Sequence, residues 1–117
     1  MLSKKIEAAL NDQVAKEAYA SSPYLSMAIW CETRALRGSA AFFYAQSDEE
    51  RGHMLKLVKY VNEAGGHAVI PSIDGPLTNY KSLDHAFEVS LAQEMGVTES
   101  INKLVELTFA ADRVLSY

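Results

Sequence analysis

The sequence predicts an all-α protein, a bundle of long amphipathic helices joined by one long crossover. Three observations lead there. Apolar residues recur at alternating spacings of three and four along three separate stretches, the period of one face of a helix. Glycine punctuation, Gly38-Ser39 and Gly65-Gly66, closes the first stretch and then the second. The aperiodic segment 65–82, with Pro71, Asp74-Gly75-Pro76 and Asn79, is too long for a simple hairpin connection.

A chain of 117 residues is one domain with a modest core. Its 49% hydrophobic and 22% charged residues are ordinary for a globular protein. A net charge of −4 offers no basic face for nucleic acid. No apolar run approaches the ~20 residues of a membrane span, and Met1 to Glu7 lacks the apolar core of a secretory signal. The single cysteine, Cys31, excludes an internal disulfide and fits a reducing cytoplasm, the expected location. On an apolar helix face it reads as a packing residue.

The first helix is expected from Ser3 to about Arg34. Its seam is Ile6, Leu10, Gln13, Glu17, Ala20, Tyr24, Met27 and Cys31. Pro23 cannot donate to the carbonyl of Tyr19, so a kink is expected near residues 19–22; the seam keeps its phase across it, which favours one kinked helix over two. Gly38 suits the C-cap of this helix and Ser39 the N-cap of the next. The second helix, about 39–64, carries the seam Phe43, Gln46, Glu50, His53, Leu57, Tyr60 and Ala64, and its short connection makes it an antiparallel neighbour of the first. The eighteen residues of 65–82 can extend over ~59 Å at ~3.3 Å each, more than the ~39 Å of a 26-residue helix. They can therefore cross the whole bundle and start the third helix parallel to the second. That helix, about 83–112 with Ser82 as N-cap, has the seam Leu83, Phe87, Ser90, Glu94, Val97, Ile101, Leu104, Thr108 and Ala111.

Each seam contains one carboxylate between apolar or aromatic neighbours: Glu17, Glu50 and Glu94. His53, three residues after Glu50, shares its helix face. Glu-x-x-His is the spacing seen at di-iron carboxylate centres in helical bundles. Ser47-x-x-Glu50 also fits a capping box, but Ala40 to Gln46 contains no residue that would break the helix before it. A lone buried carboxylate is costly. Three of them with an imidazole call for a shared cation, the competing reading being an all-protein polar network. Carboxylates with one imidazole suit iron or manganese better than structural zinc. Tyr24, one heptad after Glu17, reads equally as a core aromatic or as a hydroxyl working beside the centre. His67 and His85 share no seam with the glutamates and read as surface residues, and Trp30 as core or subunit contact.

Glu17, the run Tyr24-Leu25-Ser26-Met27-Ala28, the run Glu49-Glu50-Arg51-Gly52-His53, the long crossover and Glu94 together resemble a bacterial-type non-haem ferritin over essentially the whole chain. The resemblance implies a ferritin-like bundle of which three of the four long helices are present, one ferritin-like di-iron domain over 1–117, shortened at its C-terminus. It implies a cytoplasmic iron-storage and detoxification subunit, a ferroxidase that oxidises ferrous ions with dioxygen or peroxide and assembles with copies of itself, into a 24-subunit cage in the family. It implies that Glu17, Glu50 and His53 hold the first iron, that Glu50 bridges to a second held by Glu94, that Glu49 helps form a third position, and that Tyr24 stands beside the centre. Haem-binding relatives carry Met immediately after the motif Glu; here that residue is Arg51, so no haem is expected. Two rivals stand beside this expectation: a non-catalytic helical assembly module, and another ferritin-like di-iron oxidase or peroxidase.

Overall fold

A computed structural model describes the backbone of residues 2–110 and the side chains of residues 2–106. Three α-helices account for most of it: α1 Lys4–Glu32, α2 Arg37–Glu63 and α3 Leu83–Ala110. The expected seam positions Thr108 and Ala111 and the helix end near Asp112 lie outside what is described. Among the described residues no helix is long and apolar enough to cross a membrane.

Ser3 caps α1, its hydroxyl accepting from the Ile6 N–H at 3.2 Å and satisfying one of the orphan donors of the first turn. The helix runs through Pro23 without ending, as the unbroken seam required. The turn loosened by the proline's missing N–H takes side-chain donors from both neighbours. Gln93 Nε2 reaches the Ala20 carbonyl at 3.0 Å, and Ser47 Oγ reaches the Ser21 carbonyl at 2.8 Å. Ser47 is therefore a mid-helix contact residue, and the capping-box reading of Ser47-x-x-Glu50 falls.

The α1–α2 turn corrects the sequence expectation. The left-handed residue is Ala35, at φ 59°, not Gly38. Around it the Leu36 N–H bonds to the Cys31 carbonyl at 2.9 Å and the Ala35 N–H to the Glu32 carbonyl at 3.1 Å, the paired bonds of a Schellman ending. Helix α1 thus stops at Glu32 rather than Arg34, while Gly38 and Ser39 lie inside the first turn of α2, whose N-cap, Leu36, makes no side-chain bond. The second ending is as expected. Gly65 adopts φ 87°, with Gly66 N–H bonded to the Val61 carbonyl and Gly65 N–H to the Asn62 carbonyl, the same motif with glycine in the left-handed position.

The crossover can be followed by its contacts with α1. The Asn11 amide donates to the His67 carbonyl while its oxygen accepts from the Val69 N–H; Ser26 Oγ donates to the Leu77 carbonyl; the Tyr80 ring packs edge-on against Trp30. The segment therefore climbs α1 from its N-terminal to its C-terminal end. Helix α3 then begins beside Trp30 and descends antiparallel to α1, hence parallel to α2, giving a body of 50 × 21 × 21 Å. Ser82 caps α3 by accepting from the His85 N–H at 3.0 Å, and His85 Nδ1 accepts from the Lys81 N–H at 3.0 Å. His85 is thus a half-buried capping residue rather than a plain surface one, whereas His67 is exposed.

Two apolar clusters form the core. One gathers Tyr24, Met27, Trp30, Cys31, Phe43 and Tyr80 near the α1–α2 turn; the other gathers Ile6, Leu10, Val14, Leu57, Val61 and Leu104 at the opposite end. Trp30, at 5% exposure, is core. Both α2 and α3 pack on α1 but not backbone-to-backbone on each other. Phe87, expected inside, is consequently 38% exposed, meeting Phe42 and Phe43 only at its ring.

Candidate metal centre

Between the two apolar clusters lies a polar layer. Gln13, Glu17, Ser47, Glu50 and Ser90 are buried there, with Glu17 fully enclosed and Glu50 3% exposed. The helical period puts them inside. Gln13 and Glu17 continue the stripe of Ile6 and Leu10, and Glu50 continues that of Phe43 and Leu57.

His53 Nδ1 lies 3.5 Å from Glu50 Oε2 and 3.9 Å from Glu17 Oε2. One donor atom from each of Glu17, Glu50 and His53 falls within 4.8 Å of the other two. That is close to the span of two ligand bonds of ~2.1 Å on opposite sides of one ion. Glu50 Oε2 is buried and makes no hydrogen bond, as suits an oxygen that faces a cation. From α3, Glu94 Oε1 accepts the hydrogen bond of the Tyr24 hydroxyl. The Glu50 carboxylate acts on both Glu17 and Glu94 by side-chain contact and by like charge.

The electrostatics follow from this crowding. Burial, then the neighbouring Glu50, pushes the Glu17 carboxyl up to about 9, the Gln13 amide working in the opposite direction. Burial also raises Glu94, with the Tyr24 hydroxyl opposing and Glu50 and Glu49 adding to the rise. Tyr24 is held well above the usual phenol range by burial first and then by Glu94. Without a cation, the layer keeps protons that carboxylates ordinarily lose.

The structure thus brings together Glu17, Glu50, His53, Glu94 and Tyr24. Glu49 faces outward and is exposed, reaching the group through its charge near Glu94. Two polar neighbours were not singled out from the sequence as part of the site. Gln13 Nε2 donates to Glu17 Oε1 at 3.2 Å, and Gln93 ties α3 to α1 beside Tyr24. Gln13 was visible as a polar residue on a buried stripe, one turn before a glutamate.

Comparison with known proteins finds relatives over nearly the whole chain. The family model described as a ferritin-like domain matches residues 7–116. The bacterial non-heme ferritin of Campylobacter jejuni is 43% identical over 106 residues, 91% of this chain and 64% of its own length. A probable bacterial non-heme ferritin-like protein of Haemophilus influenzae is 42% identical over 109 residues, covering 93% of this chain and 66% of its own. The chain thus spans a little under two thirds of these curated relatives. A solved structure of Chlorobium tepidum ferritin superposes with a TM-score of 0.91 at 40% identity, covering 96% of this chain and 69% of that one.

Proposed function

The chain belongs to the ferritin family, and on that premise we propose that it is an iron-storage subunit with ferroxidase activity, which binds ferrous ions in the polar layer and gives them up as ferric iron. The observation that carries this reading is the gathering of donor atoms from Glu17, Glu50 and His53 within 4.8 Å of one another, with Glu94 interacting with Glu50 from α3. Carboxylate and imidazole donors of this kind suit iron. Iron is here the substrate, and it supplies the electrons that dioxygen or peroxide takes.

The chain's own residues do the rest. Glu17 and His53 hold one ion from two helices, Glu94 serves a second from the third helix, and Glu50 is shared between them. Three carboxylates and a neutral imidazole bring about −3 against the +4 of two ferrous ions, so ions in the layer offset both the burial and the like-charge repulsion that retain protons there, and those protons leave as iron enters. The Tyr24 hydroxyl fixes the rotamer of Glu94 and holds a proton at its oxygen. Exposed Glu49, next to Glu94 in charge, provides a further landing point for a cation on its way in or out. Arg51 follows the motif Glu, and no haem is proposed. Assembly with copies of itself in the cytoplasm, as in the family, is part of the same reading.

An anaerobic ferrous titration followed by oxygen tests it. The expected result is about two tight ferrous sites per chain, oxidised within one fast phase. Glu50→Ala should slow that phase more than Glu94→Ala, because it removes a ligand shared by both ions. Equal rates in the two variants would overturn the bridging role, and an absence of stoichiometric binding would overturn the function.

A further inference from the structure

The apolar stripe of α1 through Ile6, Leu10 and Val14 is interrupted by a residue that does not match it. Gln13 is 2% exposed, sits next to Val14 and one turn beyond Leu10, and belongs to none of the ligand groups described above. A buried primary amide is costly unless its donors and acceptor are used. Here its Nε2 donates to Glu17 Oε1 at 3.2 Å.

We propose that Gln13 is a positioning residue for the metal centre: by holding Oε1 of Glu17 it presents the other oxygen, Oε2, to the ion shared with Glu50 and His53. Gln13 and Glu17 are four residues apart on one helix, so their bond is set by the helix and does not depend on how α2 or α3 approach. Glu17 has three rotatable side-chain bonds, and one amide anchor removes most of that freedom. The other oxygen, Oε2, is then the one 3.9 Å from His53 Nδ1. Without the anchor, Oε1 becomes a buried acceptor that turns toward Glu50, and both oxygens compete for one place. Partners that orient a ligand in this way are generally worth 10–100-fold in metal affinity.

This inference rests on the polar layer being a metal site, and the test separates the two. Cobaltous ion, whose visible absorption reports the number and arrangement of its ligands, is titrated into the wild-type chain, Gln13→Met and Gln13→Glu. Gln13→Met keeps length and removes the donor; Gln13→Glu keeps shape and replaces the donor by an acceptor. Expected are a first cobaltous ion bound at least ~10-fold more weakly in both variants, with a shifted visible band, while helical content stays at the wild-type level. If Gln13→Met loses its helical content, Gln13→Glu alone decides. A variant that folds and binds cobalt with wild-type affinity and spectrum overturns the positioning role. A wild-type chain that binds no cobalt overturns the metal reading itself.

Discussion

At the scale of single residues, the behaviour of the metal-free protein follows from carboxylates that cannot all ionise together. Glu17 keeps its proton up to about 9 in the folded chain, against an ordinary carboxyl value near 4.5 when unfolded. Between those values the folded state binds more protons than the unfolded one, so stability must fall as pH rises. Below the lower value the favourable protonated state costs nothing extra, and above the upper one that contribution is lost. Metal-free protein should therefore lose stability and melt at progressively lower temperature as pH rises from about 5 to about 9. Glu17→Gln should flatten the slope, and a saturating divalent cation should reverse it, because the cation takes the place of the proton. Melting curves across that range check this; a slope unchanged in Glu17→Gln would contradict it. The sequence made the glutamates legible because a charged residue in an apolar stripe violates the pattern around it. It did not show that the Tyr24 hydroxyl would meet Glu94, since that depends on the rotation of α3 about its axis, which periodicity leaves free.

At the scale of elements, the helices and the crossover were readable, and the turns only partly. Gly65 was read correctly because the left-handed position and the glycine coincide. At the first turn they do not. Gly38 is a conspicuous breaker in the sequence, yet Ala35 takes the left-handed conformation at φ 59° and Gly38 goes into the helix. The Schellman bonds at Cys31 and Glu32 evidently outweigh the steric cost at Ala35, which is ~1–2 kcal/mol for a residue with a Cβ. Ala35→Gly relieves that cost and adds unfolded-chain entropy of ~0.4–1 kcal/mol. The variant should be more stable by ~0.5–1 kcal/mol, with iron binding unaffected since the turn lies beyond the apolar cluster from the site. Chemical denaturation measures it, and a destabilised Ala35→Gly would show that the turn owes its form to something other than the two capping bonds.

At the scale of the whole molecule, α1 is the common partner: the backbones of α2 and α3 both pack on it, and the two meet each other only through side chains such as Phe43 and Phe87. The crossover made this topology predictable, since a segment that climbs the full length of α1 can only start α3 at the turn end. What periodicity could not give is the separation of α2 from α3, which leaves Phe42 and Phe87 half open and the carboxylates of the two helices joined chiefly through Glu50. An element with a small interface opens more readily than one with a large interface, and α3 packs on α1 much less extensively than α2 does. Amide hydrogen exchange in α3 should accordingly be faster than in α1 and α2, and ferrous or cobaltous ion should slow it by linking Glu94 to Glu50. Uniform protection across the three helices would contradict that picture. The place where iron sits decides the function. Crystals grown anaerobically with ferrous salt and measured at the iron absorption edge should show two anomalous peaks per chain, one enclosed by Glu17, Glu50 and His53 and one between Glu50 and Glu94. Crystals with iron bound elsewhere, and none between these side chains, would contradict it.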